Sequence, residues 1–323
     1  MRSRTVCVTG GAGFIGSHVA AALVGAGHRV VIVDDLSSGR KANVPEGAQF
    51  HQLDIRSEEA AALMTQAGIE VLVHHAAQID VRRSVADPRF DADVNIGGTL
   101  NLLEAGRKAS LREVVFASTG GAIYGEQDYF PADEQHPTRP LSPYGVAKLA
   151  VERYLYCYHT VYDLDVTCLR YANVYGPRQS PHGEAGVVAI FLDRLLAGKD
   201  AIINGDGLQT RDYVFVGDVV AANLAALGLG GFNTLNVGTG VESSVVAVYE
   251  LIDGSLGTGR PPRHAEAKPG EQRRSVITSA LLQQTTGVHI GTTLAAGLKT
   301  TAEWFKQQAT GDRRQQATGN RQQ

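Results

Sequence analysis

The segment VCVTGGAGFIGSH places Gly10, Gly13 and Gly16 directly between a strand-like apolar run and a helical pattern. The first glycine permits a tight turn, the second lets backbone approach a diphosphate, and the third lets helix and strand pack closely. The helix that follows, with Phe14 and Ile15 in its first turn, offers free N–H groups and the positive end of its dipole to phosphate. About eighteen residues after Gly16, at the end of the next apolar run, VIVDDLSSGR brings Asp34 and then Asp35. An acidic side chain there holds ribose hydroxyls and repels a 2′-phosphate, which selects NAD over NADP. Asp54 and Ile55 follow the third expected strand and are placed to flank an adenine.

Short β-branched runs alternate with helical patterns through the first half of the chain. Strands are expected near 5–9, 29–33, 48–53, 71–74, 113–118 and 165–169, and helices over 13–25, 57–66, 88–109 and 142–162. Apolar runs with little alternation imply strands buried on both faces, hence a parallel sheet covered by helices. The expected class is α/β, a doubly wound parallel sheet of Rossmann type in residues 1–177. Residues 178–306 are expected to form a smaller C-terminal substrate-binding lobe, with helices near 186–197, 216–227, 243–256 and 292–307 and some segments returning to the first domain. Residues 307–323 carry an imperfect repeat, QQATGDRR then QQATGNR, and are expected to be a frayed helix end or disordered.

The 323 residues, 43% of them hydrophobic, suffice for a large core. A formal net charge of −3 with no long basic run predicts no nucleic-acid partner. No apolar stretch approaches the ~20 residues that span a bilayer. The first residues run straight into the first expected strand, and no signal peptide is expected. Cys7, Cys157 and Cys168 lie in apolar surroundings and are expected as buried free thiols of a cytoplasmic protein. His74 and His75 end a strand, where neighbours point to opposite faces, and no metal is expected there.

Two further segments carry chemistry. SPYGVAK puts Tyr144 and Lys148 four apart on one helix face. A phenol ionises near pH ~10, too high for a base at neutral pH. A nearby ammonium and a bound nicotinamide cation both favour the phenolate, so the Tyr144 pKa is expected to be lowered. Ser118 and Thr119 end the preceding strand, VVFAS, and supply hydroxyls.

Together the glycine fingerprint, STGGAIYG, SPYGVAK, ANVYGPR and RDYVFV resemble the extended short-chain dehydrogenase/reductases over roughly residues 4–305. Within that superfamily the chain is similar to the UDP-glucose 4-epimerases and related nucleotide-sugar epimerases. The resemblance implies a hidden redox cycle on a UDP-sugar, with Tyr144 taking the proton of the 4-hydroxyl and Lys148 holding the nicotinamide ribose. Many relatives carry a catalytic Ser or Thr four residues before the tyrosine that matches Tyr124; here that position is Gly120. The relay hydroxyl is therefore assigned to Thr119 first and Ser118 second.

The same resemblance places Ala76, Ala77, Asn95 and Tyr171 at the cofactor, and Asn173 and Val188 at the sugar nucleotide. Arg211 would pair with a diphosphate oxygen, a task suited to a guanidinium fork. Arg273 or Arg274 would add a second phosphate contact, and Glu271 would hold the uridine ribose. Ser275 stands where a bulky tyrosine in relatives is associated with rejecting N-acetyl sugars. Gly121 and Ala122 replace the acidic residues of the related dehydratases and decarboxylases, so those reactions are not expected. UDP-glucose/UDP-galactose ranks first as substrate, with UDP-glucuronate and UDP-GlcNAc behind it. A catalytically silent nucleotide-sensing protein is the non-enzyme alternative, against which the intact Tyr144 and Lys148 speak. A homodimer packed through the helices near 88–109 and 142–162 is also implied.

Overall fold

The computed structural model describes residues 2–182, 186–267 and 272–319, with side chains as far as residue 310. In the first half β1 (Thr5–Thr9), β2 (Arg29–Val33), β3 (Gln49–His51), β4 (Val71–His74), β5 (Glu113–Thr119) and β6 (Asp165–Tyr171) alternate with helices. These are α1 (Phe14–Gly25), α2 (Glu58–Gln66), α3 (Val81–Ala86), α4 (Pro88–Ala92), α5 (Gly98–Arg107), α6 (Gly120–Ile123) and α7 (Pro143–Tyr162). Local chemistry sets the helix starts. At α2 the Ser57 hydroxyl accepts from the Ala60 N–H at 3.1 Å, and Glu58 and Glu59 suit the positive end of the helix. At α7 Ser142 caps Gly145 N–H at 3.2 Å and Pro143 occupies the first turn.

The second half adds β7 (Asn173–Tyr175), β8 (Ile202–Asn204), β9 (Thr210–Phe215), β10 (Phe232–Val237), β11 (Glu242–Ser244), β12 (Arg263–Ala265) and β13 (Arg274–Ser275). Its helices are α8 (Val187–Leu196), α9 (Val216–Ala226), α10 (Val245–Leu256), α11 (Ala280–Thr286) and α12 (Leu294–Gly319).

The main sheet has seven strands in the order β10-β6-β5-β4-β1-β2-β3, all parallel. It is a Rossmann-type sheet. Strands such as β4 are buried at every position because helices cover both faces, which explains their lack of alternation. Val8, Leu23, Ile32 and Val219 fill one face, and Cys7, Leu72, Leu103, Phe116 and Leu155 the other. The chain builds outward from β1 in one direction and from β4 in the other. The crevice between the loops after β1 and β4 is thus the switch point where such sheets bind ligands.

The remaining strands are short. β9 is flanked by antiparallel β11 and by parallel β7 and β13, while β8 pairs with β12. A separate core of Phe191, Leu192, Ile203, Val248 and Leu298 packs α8, α10 and α12 against these strands.

Three local expectations are corrected. The single helix over 88–109 is interrupted by a π turn, Asp93–Gly97, which apolar periodicity does not reveal. The last helix, expected to end near 307, continues to Gly319 through most of the repeat. Cys157 is exposed on α7, whereas Cys7 and Cys168 are buried. Among the described residues no helix is long and apolar enough to cross a membrane.

Candidate active site

The glycine loop is held in shape by close approach. Gly10 has φ +66°, and a side chain there would meet the Ala76 amide nitrogen at 2.8 Å. A side chain at Gly16 would collide with the Gly10 carbonyl. The loop therefore lies directly on the backbone at the end of β4. Gly13 caps α1 without a side chain, and the first turn, with Phe14 and Ile15, carries no acid. Its unshared N–H groups suit a diphosphate.

Asp34, 6% exposed, accepts from Ala12 N–H at 2.9 Å and from Leu36 N–H at 2.8 Å. One bond to each oxygen cinches the loop and leaves lone pairs for ribose hydroxyls. Burial pushes the Asp34 carboxyl pKa up. Asp35 is exposed and turns onto its own loop, accepting from the Ser37 N–H and hydroxyl. Asp54 is clasped by the Arg56 guanidinium, which holds its carboxyl below the usual range. Ile55 is buried against α5, where a side chain on Gly98 would meet it at 2.6 Å, so its side chain belongs to the core rather than to an adenine contact.

Sequence reasoning passed over Arg178, although ANVYGPR contains it. Its Nη1 reaches the Ser17 hydroxyl in α1 at 3.1 Å, and the His18 ring bonds the Pro177 carbonyl at 2.9 Å. A partly desolvated guanidinium thus stands beside the helix end that offers phosphate donors.

The end of β4 is tied to the π turn by a directed chain. The Thr99 hydroxyl donates to the Asn95 carbonyl at 2.6 Å, so it accepts from His74 Nε2 at 2.9 Å. His74 Nδ1 then accepts from the Thr9 hydroxyl at 2.7 Å, and Thr9 accepts from Ala76 N–H at 3.2 Å. Burial holds His74 neutral, with its pKa pushed down to about 3. His75 faces the other side, where its Nε2 lies 3.2 Å from the Tyr171 hydroxyl. Tyr171 also accepts from Asn223, so its hydroxyl is engaged within the protein. Asn95 spends its side chain on Gln78 N–H, Gln78 carbonyl and Asp91 at 2.9, 3.0 and 3.0 Å, fixing the segment just after Ala77.

At the reacting end Lys148 is 4% exposed, and its ammonium donates to the Ala117 carbonyl at 2.9 Å and sits 5.9 Å from the Tyr144 ring centre. Burial lowers its pKa to about 8 against the opposing pull of Asp91 and Glu152. The Tyr144 pKa is raised, not lowered, by burial and by Asp91. Lys148 alone does not lower it; the lowering expected from the sequence also requires the charge of a bound nicotinamide.

Ser118 and Thr119 point to opposite sides of β5. The Ser118 hydroxyl donates to Glu152 at 2.6 Å, joining the buried pair in which Arg170 grips Glu152 at 2.6 and 3.0 Å. Ser118 is thereby committed to the interior and corrected as a relay candidate. Gly120 has a steric cause, since a side chain there would meet Ile277 at 2.5 Å. Above Gly121 there is room. The nearest groups to a side chain built there are Asn173 Oδ1 at 3.7 Å and Thr119 Oγ1 at 3.8 Å. Thr119 and Asn173 therefore both approach the position above Gly121.

In the second lobe Arg211 lies on β9 between Ser243 and Ser275 of the neighbouring strands, and its Nη1 donates to the Thr210 carbonyl at 2.8 Å. Ser275 is buried. Arg274 forms a fork with Glu242 at 2.9 and 2.7 Å and stacks on Phe130, while Arg273 reaches Asp206 at 3.4 Å. Both guanidiniums already carry a carboxylate, which weakens their assignment to phosphate. Val188, expected at the substrate, is 1% exposed in the core of the lobe, because it lies on the apolar face of α8. Glu271 lies outside the described residues.

The model of the NAD dependent epimerase/dehydratase family matches residues 6–238. The UDP-glucose 4-epimerase of Mycolicibacterium smegmatis is 46% identical over 305 residues, covering 93% of this chain and 97% of the relative. The crystal structure of UDP-glucose 4-epimerase with UDP-glucose from Thermotoga maritima superposes with TM-score 0.92 at 43% identity, covering 94% of this chain and 99% of that one. The UDP-glucose 4-epimerase of Thermus thermophilus, in complex with NAD, gives TM-score 0.87 at 42% identity, with coverage of 94% and 99%. The chain belongs to the NAD dependent epimerase/dehydratase family.

Proposed function

We propose that this protein is a UDP-glucose 4-epimerase, interconverting UDP-glucose and UDP-galactose through a 4-keto sugar. The observation that carries this is the Tyr144 and Lys148 pair on α7, the Lys148 ammonium 5.9 Å from the Tyr144 ring centre, with Thr119 and Asn173 both approaching the position above Gly121. Relatives of 43% and 46% identity bear the epimerase name.

When bound, NAD supplies reversible two-electron oxidation and a positive charge next to Tyr144. The residues that fit it are the N–H groups after Gly13, the Asp34 carboxylate, and the Lys148 ammonium for the nicotinamide ribose. The Tyr144 oxygen accepts the proton of the 4-hydroxyl, passed through Thr119 Oγ1, and returns it to the 4-oxygen once the turned-over 4-keto sugar has been reduced on the opposite face of that carbon. The protein ends in its starting protonation state. Arg211 and Arg178 bring guanidiniums toward the two diphosphates, Arg211 on the sugar nucleotide and Arg178 on the dinucleotide. The uronic and N-acetyl readings are not favoured, since the higher-identity relatives carry the glucose name.

The test is turnover of UDP-galactose by purified protein with no added cofactor. UDP-glucose forming to a constant ratio supports the reading, and unchanged substrate with NAD demonstrably bound refutes it.

The functional unit is a homodimer located in the cytoplasm. An apolar groove of about 480 Å³ lies between α4 and the start of α7, lined by Pro88, Ala92, Ile96, Leu141, Val146 and the edge of Asp91. Leu141 and Val146 are 71% and 51% exposed there. Light scattering should give twice the chain mass of 34.3 kDa, and a mass of one chain at micromolar concentration would overturn the pairing.

A further inference from the structure

Asp91 has no task in the proton bookkeeping above, yet it is 1% exposed on α4 and is packed against α7 beside the reacting pair. Its Oδ1 accepts from Gln78 Nε2 and Asn95 Nδ2, both at 3.0 Å. Its Oδ2 is buried with no hydrogen-bond partner among the described residues. A carboxylate that served packing alone would spend both oxygens, because a bare buried acceptor costs about 1–3 kcal/mol. Such an atom is tolerated where a nearby charge compensates it. Asp91 lines the same groove as Pro143, Val146 and Ala147, the residues that bracket Tyr144 and precede Lys148 on α7.

We propose that Asp91 is a positioning residue that sets the working pH range of Tyr144 and Lys148. Clamped by Gln78 and Asn95, its carboxylate sets one negative charge on α4 where that helix packs against α7. That charge keeps the ammonium protonated and the phenol neutral until a nicotinamide cation is in place. The electrostatic directions agree: beside the larger effect of burial, Asp91 raises the pKa of both Tyr144 and Lys148, while burial raises the Asp91 pKa itself against the opposing pull of Gln78, Asn95 and Lys148.

Other charges around the pair are accounted for. Glu152, one turn after Lys148, also favours the ammonium but is neutralised by Arg170. His74 and His75 on the β4 side are held uncharged, each with its pKa pushed down to about 3. On α3, α4 and the π turn, Arg82, Arg83, Arg89 and Asp93 are exposed, and Asp93 is paired with Arg56. Asp91 is thus the buried charge whose removal changes the field at the pair without breaking an ion pair elsewhere.

The experiment is the pH profile of kcat/KM for Asp91→Asn holoenzyme with UDP-galactose. The proposal rests on the epimerase reading, and wild-type turnover tests that reading separately. Removing the charge lowers both apparent pKa values of the coupled pair. Both limbs of the bell should move to lower pH by about one unit, roughly a tenfold loss on the alkaline side with activity retained on the acid side. A profile scaled down uniformly, with both limbs in place, overturns the proposal while leaving the epimerase reading intact. If Asp91→Asn loses bound NAD or its cooperative melting transition, Asp91→Ser, which leaves room for water, is measured by the same criterion. Unmoved limbs in that variant refute the proposal.

Discussion

Replacing each of two adjacent hydroxyls should separate stability from turnover. Ser118→Ala deletes the 2.6 Å bond to Glu152, a buried hydrogen bond to a charged group worth about 1.5–3 kcal/mol. Glu152 Oε1 keeps its 3.0 Å bond from Arg170, so no acceptor is stranded and the lower end of that range applies. An unfolding entropy of roughly 2.1 cal/mol/K per residue over 323 residues gives about 0.7 kcal/mol/K. The expected loss is therefore about 2 °C in melting temperature, with kcat within roughly threefold of wild type. Thr119→Ala deletes a half-buried hydroxyl that approaches the position above Gly121. It should leave the melting temperature within about 1 °C and lower kcat by about 100-fold or more, as loss of a proton-transfer group does. Thr119→Ser should restore most of that rate. Calorimetry and a coupled assay for UDP-glucose read both quantities. A Ser118→Ala enzyme crippled in kcat, or a Thr119→Ala enzyme near wild-type rate, refutes the assignment.

Gly16→Ala should release NAD, because its methyl group has to displace the Gly10 carbonyl at a cost of about 1–3 kcal/mol. Heat-released NAD in the supernatant of the purified variant measures this, and full retention contradicts it. Glu152→Ala strands the buried Arg170 and should destabilise the fold by about 3–5 kcal/mol, whereas the double change Glu152→Leu/Arg170→Met should recover much of it in denaturant unfolding. The Arg107 fork and the Tyr158 hydroxyl hold Glu104 down at about 2, from 4.5 in the unfolded chain. A depressed acid contributes stability above its unfolded pKa and loses it as pH falls through the folded value. The melting-temperature gap between wild type and Glu104→Gln should therefore be full above pH 4.5 and close toward pH 2.

The parallel sheet was readable because its strands are continuous β-branched runs buried on both faces; β1, β2 and β4 lie where the residues alone place them. The π turn was not, since one extra residue in a helical turn leaves the apolar pattern almost unchanged. The two-residue and three-residue strands of the second lobe exist only through partners supplied by tertiary structure, as β13 shows by pairing with a strand more than sixty residues earlier. Tyr144, Lys148 and the glycine loop were legible as local motifs with mechanical reasons. The choice between Ser118 and Thr119 needed to know which side of β5 meets Glu152. Likewise the carboxylates that occupy Arg273 and Arg274 come from distant segments, and the role of Arg178 depends on a fold that brings it to Ser17.

Epimerisation of this kind oxidises and reduces one carbon with a cofactor that never leaves. Proton NMR of UDP-galactose deuterated at C4, incubated in ordinary water with the purified protein, tests it directly. The deuterium should stay at C4 in both the UDP-glucose formed and the recovered UDP-galactose, with no C4 proton signal growing in. Appearance of that signal from solvent at the rate of epimerisation would contradict it.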